Sequence, residues 1–96
     1  MPNRRVPRPF MLLWGSGRVI EEAAIEGGLH APAFQLLQYE QGEKAGQFAI
    51  RFAAYDPDGE LERRPLIINE REIPALKREL ERSPRMKALL QKLVAD

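Results

Sequence analysis

The sequence predicts an α+β domain, an antiparallel β-meander of three to five strands packed with C-terminal helices. Large and small side chains alternate from Gln47 to Tyr55, the pattern of a strand with two unlike faces. Asp56-Pro57-Asp58-Gly59 follows, a turn composition in which each residue has a reason: Asp bonds the turn backbone, Pro fixes φ, and Gly tolerates a positive φ. After Asn69 the apolar spacing changes from every second residue to three and four, which is helical.

The chain of 96 residues is long enough for one small core, so a single domain over 10–96 is expected, preceded by a flexible arm over 1–9. That arm holds three Pro and three Arg (Arg4, Arg5 and Arg8), with Val6 as its one sizeable apolar group beyond Met1. Phe10 to Trp14 reads as a short buried strand broken by Gly15-Ser16-Gly17. From Arg18 to Glu26, Val19, Ile20, Ala23 and Ala24 fall at helical spacing, with Ser16 as a cap and Gly27 as a stop. The helix is the favoured reading of this segment; a strand returning from a Gly-Ser-Gly hairpin is the alternative.

Ala33 to Glu40 is an extended apolar run, Gly42 to Gly46 supplies a turn, and Gln47 to Tyr55 is the next strand. On it Phe48, Ile50, Phe52 and Ala54 form a large apolar face, and small residues flank Arg51 and Tyr55 on the other. Glu60 to Ile68 returns as a third strand, with Pro65 restricted to an edge or a bulge because it has no N–H. Helices are expected at 74–82, where Ile73, Leu76 and Leu80 share a face, and at 84–95, opened by Ser83-Pro84. The second carries Met86, Leu89, Leu90 and Leu93 in one stripe, with Val94 beside it. A single thin sheet cannot cover two apolar helical faces, so a homodimer joined through Met86, Leu89, Leu90 and Leu93 is expected.

Composition narrows the function classes. A net charge of +1 gives no whole-molecule field toward a polyanion. With no Cys there is no thiolate nucleophile and no Cys-based zinc site, and a cytoplasmic location is the default expectation. The longest wholly apolar run is five residues, against roughly twenty for a membrane span. Thr is absent, Ser16 and Ser83 are the only Ser residues, and His30 is the only imidazole. The chain is therefore read as non-enzymatic, with no metal and no cofactor, and His30 as a loop residue. Gly15-Ser16-Gly17 lacks the Lys that a phosphate loop places behind its glycines and reads as a turn. Glu21, Glu22 and Glu26 read as a solvated face, and Asp56 and Asp58 as turn residues rather than calcium ligands.

One group has binding character. Arg51 and Tyr55 share a strand face, Arg63 and Arg64 lie on the next strand, and Lys44 tops the preceding hairpin. Cations along phosphates with a ring stacking on bases is the chemistry of single-stranded DNA or RNA binding. Glu60 and Glu62 stand beside these cations and reduce their field. The stretch from Phe48 to Lys77, through Asp56-Pro57-Asp58-Gly59-Glu60-Leu61, Ile67-Ile68-Asn69 and Leu76-Lys77, resembles the positive-cofactor-four family of transcriptional coactivators. The resemblance implies a curved antiparallel sheet closed by a C-terminal helix, a helix-mediated homodimer, and a sheet groove for single-stranded DNA. It places a basic residue at Arg51, whereas Ala54 stands where the family has an aromatic residue and Glu62 where it has Lys. The leading expectation is thus a small single-stranded nucleic-acid-binding protein, and the alternative is a homodimeric protein-interaction module.

Overall fold

The computed structural model describes residues 5–25, 31–62 and 65–95. Five strands, β1 (Arg8–Leu12), β2 (Gly15–Ala24), β3 (Ala31–Gly42), β4 (Phe48–Tyr55) and β5 (Leu66–Asn69), pair in chain order as one antiparallel meander. A 3₁₀ turn (Glu70–Glu72) leads into helix α1 (Ile73–Leu80), and α2 (Pro84–Val94) follows. The α+β meander with C-terminal helices is therefore the architecture. Pro65 falls immediately before the edge strand β5, where a missing N–H breaks no inner ladder. Pro74 occupies the first turn of α1 and Pro84 opens α2. Ser83 stands at the start of α2, but its hydroxyl makes no capping bond.

Several boundaries differ from the sequence reading. The return strand expected over 60–68 pairs only over Leu66–Asn69, with an isolated bridge from Leu61 to Tyr55, because Pro65 has no N–H to extend the ladder. The first strand ends at Leu12 rather than Trp14 and buries Phe10 alone, since an edge strand leaves Met11 and Leu13 to water. Arg8 and Pro9 belong to β1 rather than to an arm, paired with Val19 and Arg18, because an edge strand accommodates Pro9. Residues 15–24 form strand β2, turning back on β1 as the alternative reading had it, rather than the favoured helix. The physical reason is a bulge. Val19 pairs with Leu37 and Glu21 with Leu36, so Ile20 is an extra residue and the side-chain parity reverses after it. The inward residues before and after the bulge, Val19 and Glu22, are thus separated by three positions rather than two, so no two-residue alternation runs through the segment.

A second irregularity lies between Ser16 and Gly17, which pair with Gln41 and Tyr39. Here the backbones approach so closely that a Cβ on Gly17 would lie 2.0 Å from the Gln38 carbonyl oxygen. Only glycine fits.

The sheet curls around one face. The two edge strands, far apart in strand order, meet in one cluster: Phe10 and Leu12 from β1 and Ile67 from β5 pack around Val19, Leu37, Tyr39 and Ala49. Phe10 and Tyr39 contribute an edge-to-face ring pair with centroids 5.5 Å apart. At the other end of the same inner face Ala33, Ala53 and Tyr55 form a smaller cluster with Ala31. The Asp56 turn closes β4 as its composition dictates: Asp56 Oδ1 accepts from the N–H groups of Asp58 (3.0 Å) and Glu60 (2.9 Å), and Gly59 has φ +83°.

The helices stand away from this core. Neither α1 nor α2 has a buried residue. The radius of gyration, 14.5 Å, exceeds the value of about 13 Å for a compact chain of this length. No described helix is long and apolar enough to cross a membrane.

Candidate functional site

The inner face carries a polar belt between its two apolar clusters. Arg8 grips Glu22 in bidentate fashion, Nη1 to Oε1 at 3.1 Å and Nη2 to Oε2 at 3.0 Å, and Nη2 also reaches the Tyr55 hydroxyl at 3.3 Å. The Gln35 amide donates to Glu22 (2.7 Å) and to Tyr55 (2.8 Å), and its carbonyl accepts from Arg51 Nε at 2.6 Å. Five residues from four strands are thereby tied together, with Glu22 turned inward by the Ile20 bulge. Burial pulls the Arg51 pKa down from its ordinary value, against the favourable pull of Tyr55 and Glu22. Burial also works against the charge on Arg8, but hydrogen bonds to Glu22 and Tyr55 outweigh it and raise that pKa.

This geometry corrects part of the sequence reading. Arg51 and Tyr55 do share a face, but it is the inner one, and each is only 6% exposed. As placed, neither is open to a phosphate or a base. Lys44 is half-buried in the β3–β4 turn, at the end of β4 opposite Tyr55, so it is not brought to the other two. Arg63 and Arg64 lie outside the described residues, as does His30.

Of the two faces of β4 read from the sequence, the one with small residues is interior: Ala49, Arg51, Ala53 and Tyr55 are buried, while Phe48, Ile50, Phe52 and Ala54 are partly exposed. The concave side of a curled sheet offers less volume per residue, so small residues suit it, and the large ones fan out on the convex side. Ala33, buried opposite Ala53 on the neighbouring strand β3, is the available signal.

The outer face is strongly apolar. In register, Phe34 lies opposite Phe52 and Leu36 opposite Ile50, and β5 adds Leu66 and Ile68 beside Phe52 and Ile50. Phe34 is 41% exposed and meets Phe52 edge-to-face at 5.3 Å. A hollow of about 320 Å³ runs past Glu21, Ala23, Phe34 and Leu36 to Ile50. Another of about 370 Å³ begins at Leu36 and Ile50 and ends at Phe48, Ile68 and Ile73. Sharing Leu36 and Ile50, the two form one trough across the sheet, which α1 enters through Ile73.

The helix stripe is the third feature. Met86, Leu89, Leu90 and Leu93 are exposed, with Leu89 at 65% and Leu93 at 61%. Lys87 bonds Glu81 across the α1–α2 corner, and this hydrogen bond holds the Glu81 carboxyl below the usual carboxylate range. Among the described residues no group of three acidic or His side chains is arranged to hold a metal ion.

Searches against family models, curated proteins and solved structures found no match to this chain.

Proposed function

We propose that this chain is a non-enzymatic interaction module that works as a homodimer, with the stripe Met86, Leu89, Leu90 and Leu93 at the contact. The observation that carries the reading is that two helices, amphipathic by sequence, have no buried residue, while the sheet beside them completes its own core. Apolar area left in water is removed on pairing at about 25 cal/mol per Å². Exposed patches of this kind mark interaction surfaces in soluble domains. Sedimentation equilibrium from low to high micromolar concentration tests it. The expected result is a species of twice the 11.0 kDa chain mass, shifted back to monomer by Leu89→Glu. A monomer at every concentration rejects the reading.

Single-stranded nucleic-acid binding is the second reading, favoured by the half-exposed Phe34 ring on an open sheet face. Helix α2 has Arg85, Lys87 and Lys92 and no acidic residue, and the resemblance to the coactivator family points the same way. Stacking would then rest on Phe34 rather than Tyr55. Fluorescence anisotropy with labelled single-stranded DNA decides it. Binding that weakens with salt by about one logarithmic unit per phosphate contact, and that Phe34→Ala reduces, supports it. No binding at about 50 mM salt, where phosphate contacts are strong, removes it.

A further inference from the structure

The homodimer reading leaves open what the helix stripe rests on, and the following inference depends on that reading. We propose that α2 of each copy lies in the outer trough of the other, so that the stripe Met86, Leu89, Leu90 and Leu93 covers Phe34, Leu36, Ile50 and Phe52 of the second copy.

Each chain exposes two apolar surfaces that do not cover one another. On the outer sheet face Phe34, in the trough, is 41% exposed and Leu66, beside Phe52 on β5, 59%, and the stripe is exposed throughout. Their dimensions agree. An 11-residue helix is about 16 Å long, and the four strands β2 to β5 span about 14 Å at the usual strand spacing.

Their charges agree as well. Helix α2 carries Arg85 and Lys92, besides the Lys87 bound to Glu81, without an acidic residue of its own, whereas the far end of the trough is rimmed by Glu21. Two helices of this composition packed against each other would instead bring like charges together.

The connection disfavours self-coverage. Strand β5 ends at Asn69, the 3₁₀ turn begins at Glu70, and α1 follows at Ile73, so no slack residues separate sheet from helix. Asn69 is held at both ends of its bonding, its N–H on Glu72 (2.8 Å) and its side-chain oxygen under the Tyr39 hydroxyl (2.9 Å). This anchor sets α1 at the Ile73 end of the trough, and the lining of the hollow at Phe34 includes no α2 residue. A two-fold exchange satisfies both surfaces in both chains and closes the assembly at two copies.

The absence of cysteine makes the test direct. Leu36→Cys and Leu89→Cys are made in separate full-length chains, mixed, and oxidised, with Ile50→Cys and Leu90→Cys as an independent pair should one of the first fold poorly. The expected product is a covalent dimer joining position 36 to position 89, in excess over both homodisulfides. Glu21→Lys should raise the dimer dissociation constant several-fold. A sedimenting dimer whose only cross-link joins 89 to 89 overturns this arrangement and leaves the homodimer standing. A cross-link between 36 and 89 within one chain, shown by a doubly substituted chain diluted into excess unmodified protein, overturns it too. A protein that is monomeric throughout removes both.

Discussion

The two faces of one sheet divide the work of this molecule in opposite ways. The inner face buries Arg51, Gln35 and Tyr55 together with alanines and satisfies them by hydrogen bonds, while the outer face presents Phe34, Phe52, Leu36 and Ile50 partly to water. Curvature, rather than hydrophobicity, therefore decides which side of the sheet is interior. The inner face is a completed structure whose polar groups have partners within the chain. The outer face has a surplus of apolar area whose coverage must come from elsewhere.

Changes to the inner face should be the most costly. Gly17→Ala drives a Cβ into the Gln38 carbonyl oxygen and should destabilise the fold by about 3 kcal/mol or more, read as a lower denaturant midpoint. Gln35→Leu keeps the volume but takes partners from Arg51, Glu22 and Tyr55 in one step. A loss of about 2–4 kcal/mol is expected in the same measurement. Its sequence neighbour Leu36 points to the other face, and Leu36→Gln should cost the monomer less than about 1 kcal/mol. Equal costs at 35 and 36 would break the comparison.

The helix stripe should respond in association and not in folding. Leu89→Glu is expected to leave the unfolding midpoint of the dilute protein unchanged and to raise the dimer dissociation constant by at least about tenfold, since about 1.4 kcal/mol suffices for that factor. The smallest effect lies at the α1–α2 corner. The folded-state pKa of Glu81 is lowered by Lys87, so its contribution is present above the ordinary carboxylate pKa and disappears as pH falls through the lowered value. Helical circular dichroism should show a slight loss in that acidic window, absent in Glu81→Gln.

Much of this fold was legible because local chemistry and global architecture agree. The Asp56-Pro57-Asp58-Gly59 turn, Pro74 and Pro84 each act where their backbone chemistry requires. Strand β2 was legible only as the second choice because the Ile20 bulge breaks its two-residue period, and a bulge is a product of pairing with β3 rather than of local preference. The site was misread for a related reason. Alternation along β4 identifies two faces but carries no sign of the curl that turns Arg51 and Tyr55 inward. Glu22 and Arg8 joined the buried belt through the same bulge and through an edge strand that begins before its apolar run.

The central claim, a closed inner face and an outer face reserved for a partner, is tested most directly by thiol labelling at two adjacent positions of β3. Ala33 is 1% exposed on the inner face and Phe34 is 41% exposed on the outer one. In dilute protein Phe34→Cys should react rapidly and Ala33→Cys slowly, and as concentration rises through the dimerisation range the reaction at 34 alone should slow. Faster labelling at 33 than at 34, or a rate at 34 that does not change with concentration while the protein dimerises, would contradict the account.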